Sequence, residues 1–114
     1  QPFHLYEDIA QKSVFGGLCA SGWHTCAMTM RMMVDRLMEQ KLASQGSPGI
    51  DELKWRKPVF PGNILTVTTT ITEKRISEKR PKIGLLKSSY EVRNQESTIV
   101  MTMNGNYMVA RRPE

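Results

Sequence analysis

The sequence predicts an α+β protein in which one long helix is followed by four antiparallel strands. Residues 23–42 contain no glycine or proline, and apolar residues recur there at spacings of three and four, as on one side of a helix. From residue 50 onward apolar and polar residues alternate, which is typical of strands with one buried face. Because the helix and the strands occupy separate parts of the chain, we expect a curved antiparallel sheet to wrap the helix.

The composition is that of a globular domain, and we expect a single domain spanning residues 1–114. Hydrophobic residues make up 39% and charged residues 24%, and no apolar run approaches the roughly 20 residues of a membrane span. The start at Gln1, without an initiator Met, indicates a domain truncated at its N-terminus. The two cysteines have neither metal-site spacing nor the number of a disulfide framework, so we expect no metal and a reducing, cytoplasmic setting.

The formal net charge is +5, from 16 basic and 11 acidic residues. Basic residues are scattered and accompany no nucleic-acid-binding motif, which disfavours nucleic acid as a partner. A mildly basic surface and an anionic ligand, such as a nucleotide-bearing cofactor, both remain open. The densest basic group, in residues 74–82, is predicted to be a solvated loop.

Two helices are predicted before the strands. Residues 5–12 can form about two turns, with Glu7 and Asp8 on the solvated surface near the helix start. The main helix is predicted over residues 22–41 and, being so apolar, is expected to be buried on most sides, by the sheet or by a second subunit. Its predicted inner residues are Trp23, Cys26, Ala27, Met30, Met33, Val34, Leu37 and Met38.

The four predicted strands share an alternating pattern and are bounded by turn residues; they cover residues 50–57, 64–76, 84–93 and 98–110. Side chains in phase on one face include Leu53, Trp55, Val67, Tyr90, Val92, Met101 and Met103. Gly105, in the middle of the last strand, suggests a bend or bulge.

The candidate site lies where a glycine-rich turn, residues 15–22, opens the main helix. The amide of Gly22 can be approached closely and lies at the positive end of the helix dipole, which suits an oxyanion. Alternatively, Gly22 only permits a close helix–strand crossing, and Ser21 is only the N-cap. His4, in a proline-constrained loop, is the candidate acid–base residue, whereas His24 is interpreted as structural or partly exposed.

These residues resemble a known family, the MaoC-like dehydratases, which include the (R)-specific enoyl-CoA hydratases and have the hotdog fold. The resemblance rests on Gln1-Pro2-Phe3-His4, on the turn from Phe15 to Gly22, and on Pro58-x-x-Pro61-Gly62-Asn63-x-Leu65. It covers nearly the whole chain. Gln1 replaces the family's Asn, and Ser21 stands where many members have His, which suggests a divergent branch with a different substrate.

The resemblance implies a hydro-lyase that reversibly hydrates trans-2-enoyl-CoA to (R)-3-hydroxyacyl-CoA. His4 would be catalytic together with an aspartate that lies before Gln1. The first strand of the sheet is likewise expected to precede this chain. The amide of Gly22 would hold the thioester oxygen, and the acyl chain would lie near Phe15, Ser21 and Trp23.

The resemblance also implies the partners. Coenzyme A enters as part of the substrate, with no other cofactor, and Lys54 and Arg56 are the cations named to meet its phosphates. A homodimer is expected, since hotdog domains of this size usually pair. Two alternatives remain: a non-catalytic acyl-CoA-binding protein and, ranked lower, a thioesterase, because residues 22–33 contain no carboxylate.

Overall fold

The computed structural model describes residues 1–112, and its elements follow the predicted order. The helical segments, in chain order, are a 3-10 turn at Pro2–His4, α1 at Glu7–Gln11 and α2 at Gly22–Glu39. The strands, in chain order, are β1 at Gly49–Trp55, β2 at Thr66–Ile76, β3 at Ile83–Arg93 and β4 at Ile99–Ala110. The prediction of an α+β chain is confirmed, and the observed ends differ from the predicted bounds by at most two residues.

The strands form one antiparallel sheet in the order β1-β4-β3-β2, so that β1 and β2 are its edges. The pairing register shifts at one place in each strand pair, which leaves Asp51, Thr72 and Val100 as extra residues. Such bulges bend the strand and increase its twist. The sheet can therefore curve around α2 although its strands are long.

One row of side chains crosses the sheet on the face toward α2. Trp55 pairs with Met101, Met101 pairs with Val92, and Val92 pairs with Val67. Directly paired residues point to the same face, so the predicted phase of the strands is confirmed. This row reaches the helix where the Cys26 thiol donates to Met101 Sδ at 3.7 Å. The buried core residues around it are Val59, Val92, Val100 and Met101.

The face that α2 buries differs from the predicted stripe. Thr25 and Thr29 are buried, whereas Trp23, Met30 and Met38 are exposed. The threonine hydroxyls can be buried because each donates to a carbonyl one turn back, at 3.3 Å for Thr25 and 2.9 Å for Thr29. The prediction that α2 is buried on most sides is therefore wrong for the single chain, whose helix keeps an exposed apolar side.

The C-terminal end of α2 also differs from the prediction, since the helix ends at Glu39 rather than at residue 41. Lys41 adopts a left-handed conformation, with φ of 53°, and Leu42 N–H donates to Leu37 C=O at 3.0 Å. These are the features of a Schellman cap, which glycine forms most often. Because lysine and not glycine occupies the left-handed position, the sequence does not indicate that the helix ends here.

Gly105 does not form the bulge that was predicted for it. It pairs with Ser88 in β3 and with Ile50 in β1, and the extra residue at this level is Asp51 of β1. A methyl carbon on Gly105 would lie 3.4 Å from the ring of Tyr90. Gly105 therefore makes room for a neighbouring aromatic ring, while the bulge of β4 lies at Val100.

Ser21 caps α2, and this contact yields a prediction about stability. Its hydroxyl accepts from His24 N–H at 3.1 Å, as predicted for an N-cap residue. We expect Ser21→Ala to lower the free energy of unfolding by about 1 kcal/mol, since one helix N–H loses its acceptor. Urea denaturation followed by circular dichroism measures this, and Ser21→Asp, which also caps, should keep the original stability. Equal stability of the alanine and aspartate variants would contradict the cap's contribution.

Within residues 1–112, no helix combines the length and the apolar character needed to span a lipid bilayer.

Candidate functional site

The loop that carries His4 folds back onto the glycine-rich turn. The 3-10 turn is closed by His4 N–H donating to Gln1 C=O at 2.9 Å. α1 then reverses the chain, and its only buried residue, Ala10, anchors it. The result is that His4 Nδ1 lies 2.8 Å from the carbonyl oxygen of Cys19, although the two residues are fifteen positions apart.

This contact determines which nitrogen of His4 is available for chemistry. A carbonyl oxygen can only accept a hydrogen bond, so Nδ1 must be the protonated nitrogen. In the neutral imidazole the lone pair then lies on Nε2, which can accept a proton from water or a substrate. The histidine is half-buried, so Nε2 has access to a ligand while Nδ1 is held by the backbone.

Two phenylalanine rings surround the imidazole. The His4 ring lies 4.5 Å from Phe3, in an edge-on arrangement, and 6.0 Å from Phe15. Phe3 and Phe15 also contact each other, with centroids 5.4 Å apart. The rings restrict the rotation of His4 and give the site an apolar wall. Phe15, predicted to lie beside the substrate, is thus next to the candidate acid–base residue.

Cys19 lies beside His4 but does not form a reactive cysteine–histidine pair. Its sulfur is 3.8 Å from Nδ1, the nitrogen that already bonds the Cys19 carbonyl. The side chain is 4% exposed, and this burial raises the pKa of the Cys19 thiol. A neutral thiol is a poor nucleophile, so the contribution of Cys19 to the site is its carbonyl.

Gly22 begins α2, and its N–H donates to no group within residues 1–112. Cys19 and Gly22 are three positions apart, which places their Cα atoms at most about 11 Å from one another. The short connection therefore keeps the Gly22 amide in the neighbourhood of the carbonyl that holds His4. The helix dipole adds partial positive charge at this amide, so the arrangement suits a group that becomes negative.

The other side of Gly22 is covered by Trp55. A methyl carbon on Gly22 would lie 2.5 Å from Cδ2 and 2.7 Å from Cζ2 of the Trp55 ring, which is closer than real contacts allow. Glycine is therefore required here by the close crossing of α2 and β1. The close helix–strand crossing was the alternative interpretation of Gly22. It is confirmed, and the Gly22 N–H is nevertheless without an acceptor within residues 1–112.

The remaining residues predicted from the sequence lie around the start of α2 at Gly22. Trp23 is 73% exposed, and its ring stands edge-on to Trp55 with centroids 5.2 Å apart. It therefore lies outside the helix–sheet core, contrary to its place in the predicted inner stripe. His24 is exposed, as predicted, and Glu7 and Asp8 are also exposed.

Lys54 and Arg56 lie at the β1 end of the sheet. Lys54 forms an exposed ion pair with Glu52 at 3.1 Å, and Arg56 Nε donates to Thr102 Oγ1 at 3.3 Å. Their role toward a ligand stays a prediction. In the part of the chain that the structure describes, no three His, Cys, Asp or Glu side chains come together as a metal-binding group.

Three contacts around the start of α2 could not be predicted from the sequence. The Cys19 carbonyl holds His4, the Val59 carbonyl accepts from Ala20 N–H at 2.8 Å, and Trp55 packs on Gly22. Every residue has a backbone carbonyl, so the sequence does not indicate that those of Cys19 and Val59 accept these hydrogen bonds. Trp55 was predicted on the inner face, but its contact with Gly22 depends on how α2 crosses the sheet.

The fold has counterparts in known proteins. The chain is similar over its full length to the MaoC-like dehydratase from Rhodospirillum rubrum, with 40% identity, a TM-score of 0.86 and coverage of 77% of that chain. It is similar in fold to the monoamine oxidase regulatory protein from Archaeoglobus fulgius, with 24% identity, a TM-score of 0.85, and coverage of 99% of this chain and 74% of the other. The long helix and antiparallel sheet are those of the hotdog fold.

A curated relative extends the comparison. Mesaconyl-CoA hydratase from Haloarcula hispanica is 33% identical over 98% of this chain, which spans 31% of that protein's length. A family model for the MaoC-like domain matches residues 1–93, which contain the His4 loop, the glycine-rich turn and β1 to β3. The chain thus belongs to the MaoC-like domain family.

Proposed function

We propose that this domain is the hydratase unit of an enzyme that adds water to the C2–C3 double bond of a trans-2-enoyl-CoA thioester and forms the (R)-3-hydroxyacyl product. The observation that carries the proposal is the His4 Nδ1 bond to the Cys19 carbonyl, because it leaves Nε2 free beside an open helix N-terminus. Family membership and the hydratase relative support a hydro-lyase. In the proposed reaction, coenzyme A enters as part of the substrate thioester, and no other cofactor takes part.

The reaction needs two proton-transfer groups and one anion-stabilising group. The water oxygen bonds to C3, one water proton leaves to a base, and C2 receives a proton from an acid on the same face. His4 Nε2 is one group of this pair, and the family pattern places an aspartate before Gln1 as the other. These groups hold the water between them and exchange protons with it.

Gly22 supplies the third group. As water adds, the thioester oxygen gains enolate charge, and the Gly22 N–H donates to it with the helix dipole behind it. Phe3 and Phe15 exclude bulk water from one side of His4, which strengthens these polar interactions. The acyl chain is proposed to extend from the Gly22 amide past Phe15 and Trp23.

A thioesterase is disfavoured by the position of the acidic residues of α2. Its first carboxylate along the chain is Asp35, thirteen residues after Gly22 and hence about 20 Å along the helix axis. Asp35 also pairs with Arg31, which lowers the pKa of that carboxyl. No carboxylate of α2 is therefore near the Gly22 amide.

The test uses the full-length gene product. With crotonyl-CoA and longer homologues, we expect the ultraviolet absorbance of the conjugated thioester to disappear, and chiral chromatography to identify the (R)-3-hydroxy product. Release of free thiol, measured with a thiol reagent, would indicate a thioesterase instead. Binding without turnover at every chain length would indicate a non-catalytic acyl-CoA-binding protein and contradict the proposal.

A further inference from the structure

The loop of residues 58–65, between β1 and β2, supports the glycine-rich turn that opens α2. Val59 C=O accepts a hydrogen bond from Ala20 N–H at 2.8 Å, and the Val59 side chain is part of the buried core. The ring of Phe60 packs beside Gly17, since a methyl carbon built on Gly17 would lie 3.5 Å from it. The loop therefore holds the turn at two points, through one backbone bond and one aromatic ring.

Ala20 lies in the segment that connects the two groups of the candidate site. It stands between Cys19, whose carbonyl oxygen lies 2.8 Å from His4 Nδ1, and Gly22, whose N–H is the proposed anion donor. The bond from Val59 therefore fixes the part of the chain that sets these two groups relative to one another. Their relative position matters, because misplacing a reacting group by about 1 Å can lower a rate about 100-fold.

The loop is shaped by a tight turn at residues 60–63. Asn63 N–H donates to Phe60 C=O at 3.1 Å, which closes the turn. Pro61 occupies the second position, and Gly62 occupies the third with φ of 87°. A proline followed by a residue with positive φ is typical of a type II turn. The turn thus uses the backbone of Asn63 and leaves its side-chain amide for another contact.

That contact is with Gln95, in the hairpin turn between β3 and β4. Ile64 N–H donates to Gln95 Oε1 at 3.0 Å, and Gln95 Nε2 donates to Asn63 Oδ1 at 3.3 Å. A backbone N–H can only donate, so it identifies the oxygen of the Gln95 amide, and Nε2 must then face Asn63. One side chain thus bonds two consecutive residues of the loop, an arrangement here called the amide clamp. Gln95 lies outside residues 1–93, which the family model matches.

The hairpin turn that carries Gln95 is fixed by its own hydrogen bonds. Asn94 Oδ1 accepts from Glu96 N–H at 3.0 Å and from Thr98 N–H at 3.1 Å. Asn94 N–H donates to Thr98 C=O, and Ser97 N–H donates to Asn94 C=O, each at 3.0 Å. The turn joins β3 and β4, the two central strands of the sheet. The amide clamp therefore ties the loop to a well-bonded part of the fold.

We propose that Asn63 and Gln95 are positioning residues for the hydration: the amide clamp holds the loop that keeps Ala20, and with it the Gly22 amide, in place. This inference rests on the proposed function. Within residues 1–112, neither side chain hydrogen-bonds His4 or Gly22, so both act only through the loop. Losing the clamp frees the loop to shift and moves the site away from its reactive geometry.

The first experiment tests the amide clamp without substrate, in the full-length gene product. We expect Gln95→Ala to speed hydrogen exchange at the Ala20 amide about fivefold, because a net hydrogen bond changes a local opening equilibrium by a factor of about 2 to 10. Mass spectrometry of peptides from the glycine-rich turn measures this. Peptides from β4 should exchange at the native rate, whereas faster exchange there as well would mean a general loss of stability and overturn the inference.

Glu96→Ala is the matched control. Glu96 lies in the same turn, and within residues 1–112 its only hydrogen bond is made by its backbone N–H, while its carboxylate forms no ion pair. We therefore expect native exchange at Ala20 in this variant. Native exchange in Gln95→Ala, or equal acceleration in both variants, would show that the Gln95 side chain does not hold the loop.

The second experiment measures the effect on the reaction, at a temperature well below unfolding. We expect Gln95→Ala to lower kcat for the enoyl-CoA about fivefold with KM unchanged, since a misplaced amide donor is missed mainly in the transition state. The loss is smaller than for His4→Asn because the clamp is exposed and water replaces part of its bonding. Native kcat in Gln95→Ala, or the same loss in Glu96→Ala, contradicts a positioning role.

The third experiment makes the amide clamp sensitive to pH. Asn63→Asp keeps an acceptor for Gln95, and Gln95→Glu keeps an acceptor for Ile64 N–H while the Asn63 amide rotates to donate. Each single variant should therefore keep native kcat. In the double variant two carboxylates face one another, so kcat should fall about fivefold at about pH 8 and recover near pH 5, where one carboxyl is protonated and can donate.

The ratio of kcat in the double variant to kcat in Asn63→Asp, taken at each pH, removes the titration of the site itself. A ratio that stays at one across the pH range overturns the inference. If the native protein hydrates enoyl-CoA while Gln95→Ala changes neither exchange nor kcat, the positioning role fails and the hydratase stands. If the native protein itself shows no turnover, the proposed function is overturned, and the positioning role with it.

Discussion

We expect replacement of His4 with asparagine to lower kcat for the proposed hydration of enoyl-CoA by about 100- to 10,000-fold, the usual contribution of a positioned acid–base group. The asparagine amide can donate to the Cys19 carbonyl as Nδ1 does, at 2.8 Å in the native protein, but it has nothing at the position of Nε2. The variant should therefore keep its fold and lose the proton-transfer group. Steady-state kinetics and a denaturation curve on the same preparation measure the two effects separately.

The second histidine provides a matched control. His24 lies exposed in the first turn of α2, and its contact with the cap is made by the backbone N–H, not by the ring. His24→Asn should therefore leave kcat unchanged. Equal activity of the two folded variants would remove His4 from the mechanism, whereas loss in both would indicate that His24 also takes part.

Replacing Gly22 with alanine is expected to damage both stability and activity, for two separable reasons. The added methyl group overlaps the Trp55 ring, and overpacking of this kind costs about 1–3 kcal/mol of the free energy of unfolding. The methyl group also crowds the approach to the N–H that we propose to hold the developing enolate, and loss of one such donor lowers kcat about 100- to 1000-fold. Gly17→Ala, whose methyl would meet Phe60 at an ordinary 3.5 Å, should be tolerated.

A double-mutant cycle with Trp55→Ala distinguishes the two reasons. Removing the ring opens the space that the methyl group needs, so Gly22→Ala should cost little stability in the Trp55→Ala background. If the amide holds the thioester oxygen, kcat remains low in the double variant, because the methyl still crowds the approach to the N–H. Recovery of kcat to the Trp55→Ala value would mean that Gly22 serves the helix–strand crossing alone.

The element types could be predicted because they depend on local period and turn residues. The alternation in β3 and β4 places Val92 and Met101 on one face, and the structure buries both. The glycine-rich turn and Ser21 mark the start of α2 correctly. The stop of α2 was misplaced because Lys41 takes the left-handed conformation that the pattern reserves for glycine.

The buried face of α2 could not be predicted from hydrophobicity alone. Thr25 and Thr29 count as polar in a sequence pattern, but their hydroxyls donate to carbonyls of the helix itself and can enter the core. Trp23 counts as apolar, but its ring lies against Trp55 at the surface. Burial depends on which groups find partners in three dimensions, and composition does not contain that information.

The sequence predicts both His4 and Gly22 as site residues, from their residue type, their setting and the family resemblance. The contact that orients His4, to the Cys19 carbonyl, joins residues fifteen positions apart through a backbone atom that every residue has. The basic residues in residues 74–82 were likewise predicted only as a charged loop. Arg111 reaches this loop because β3 pairs with β4, and its N–H donates to Lys82 C=O at 2.9 Å.

Local chemistry therefore determines the helix, the four strands, their inner faces and the candidate site residues, because periodicity and turn preference act over a few neighbouring positions. Tertiary structure alone decides which nitrogen of His4 is free and why position 22 must be glycine. Each of these depends on atoms brought together by strand register and helix crossing, and such contacts between distant residues leave no mark on the sequence around any one of them.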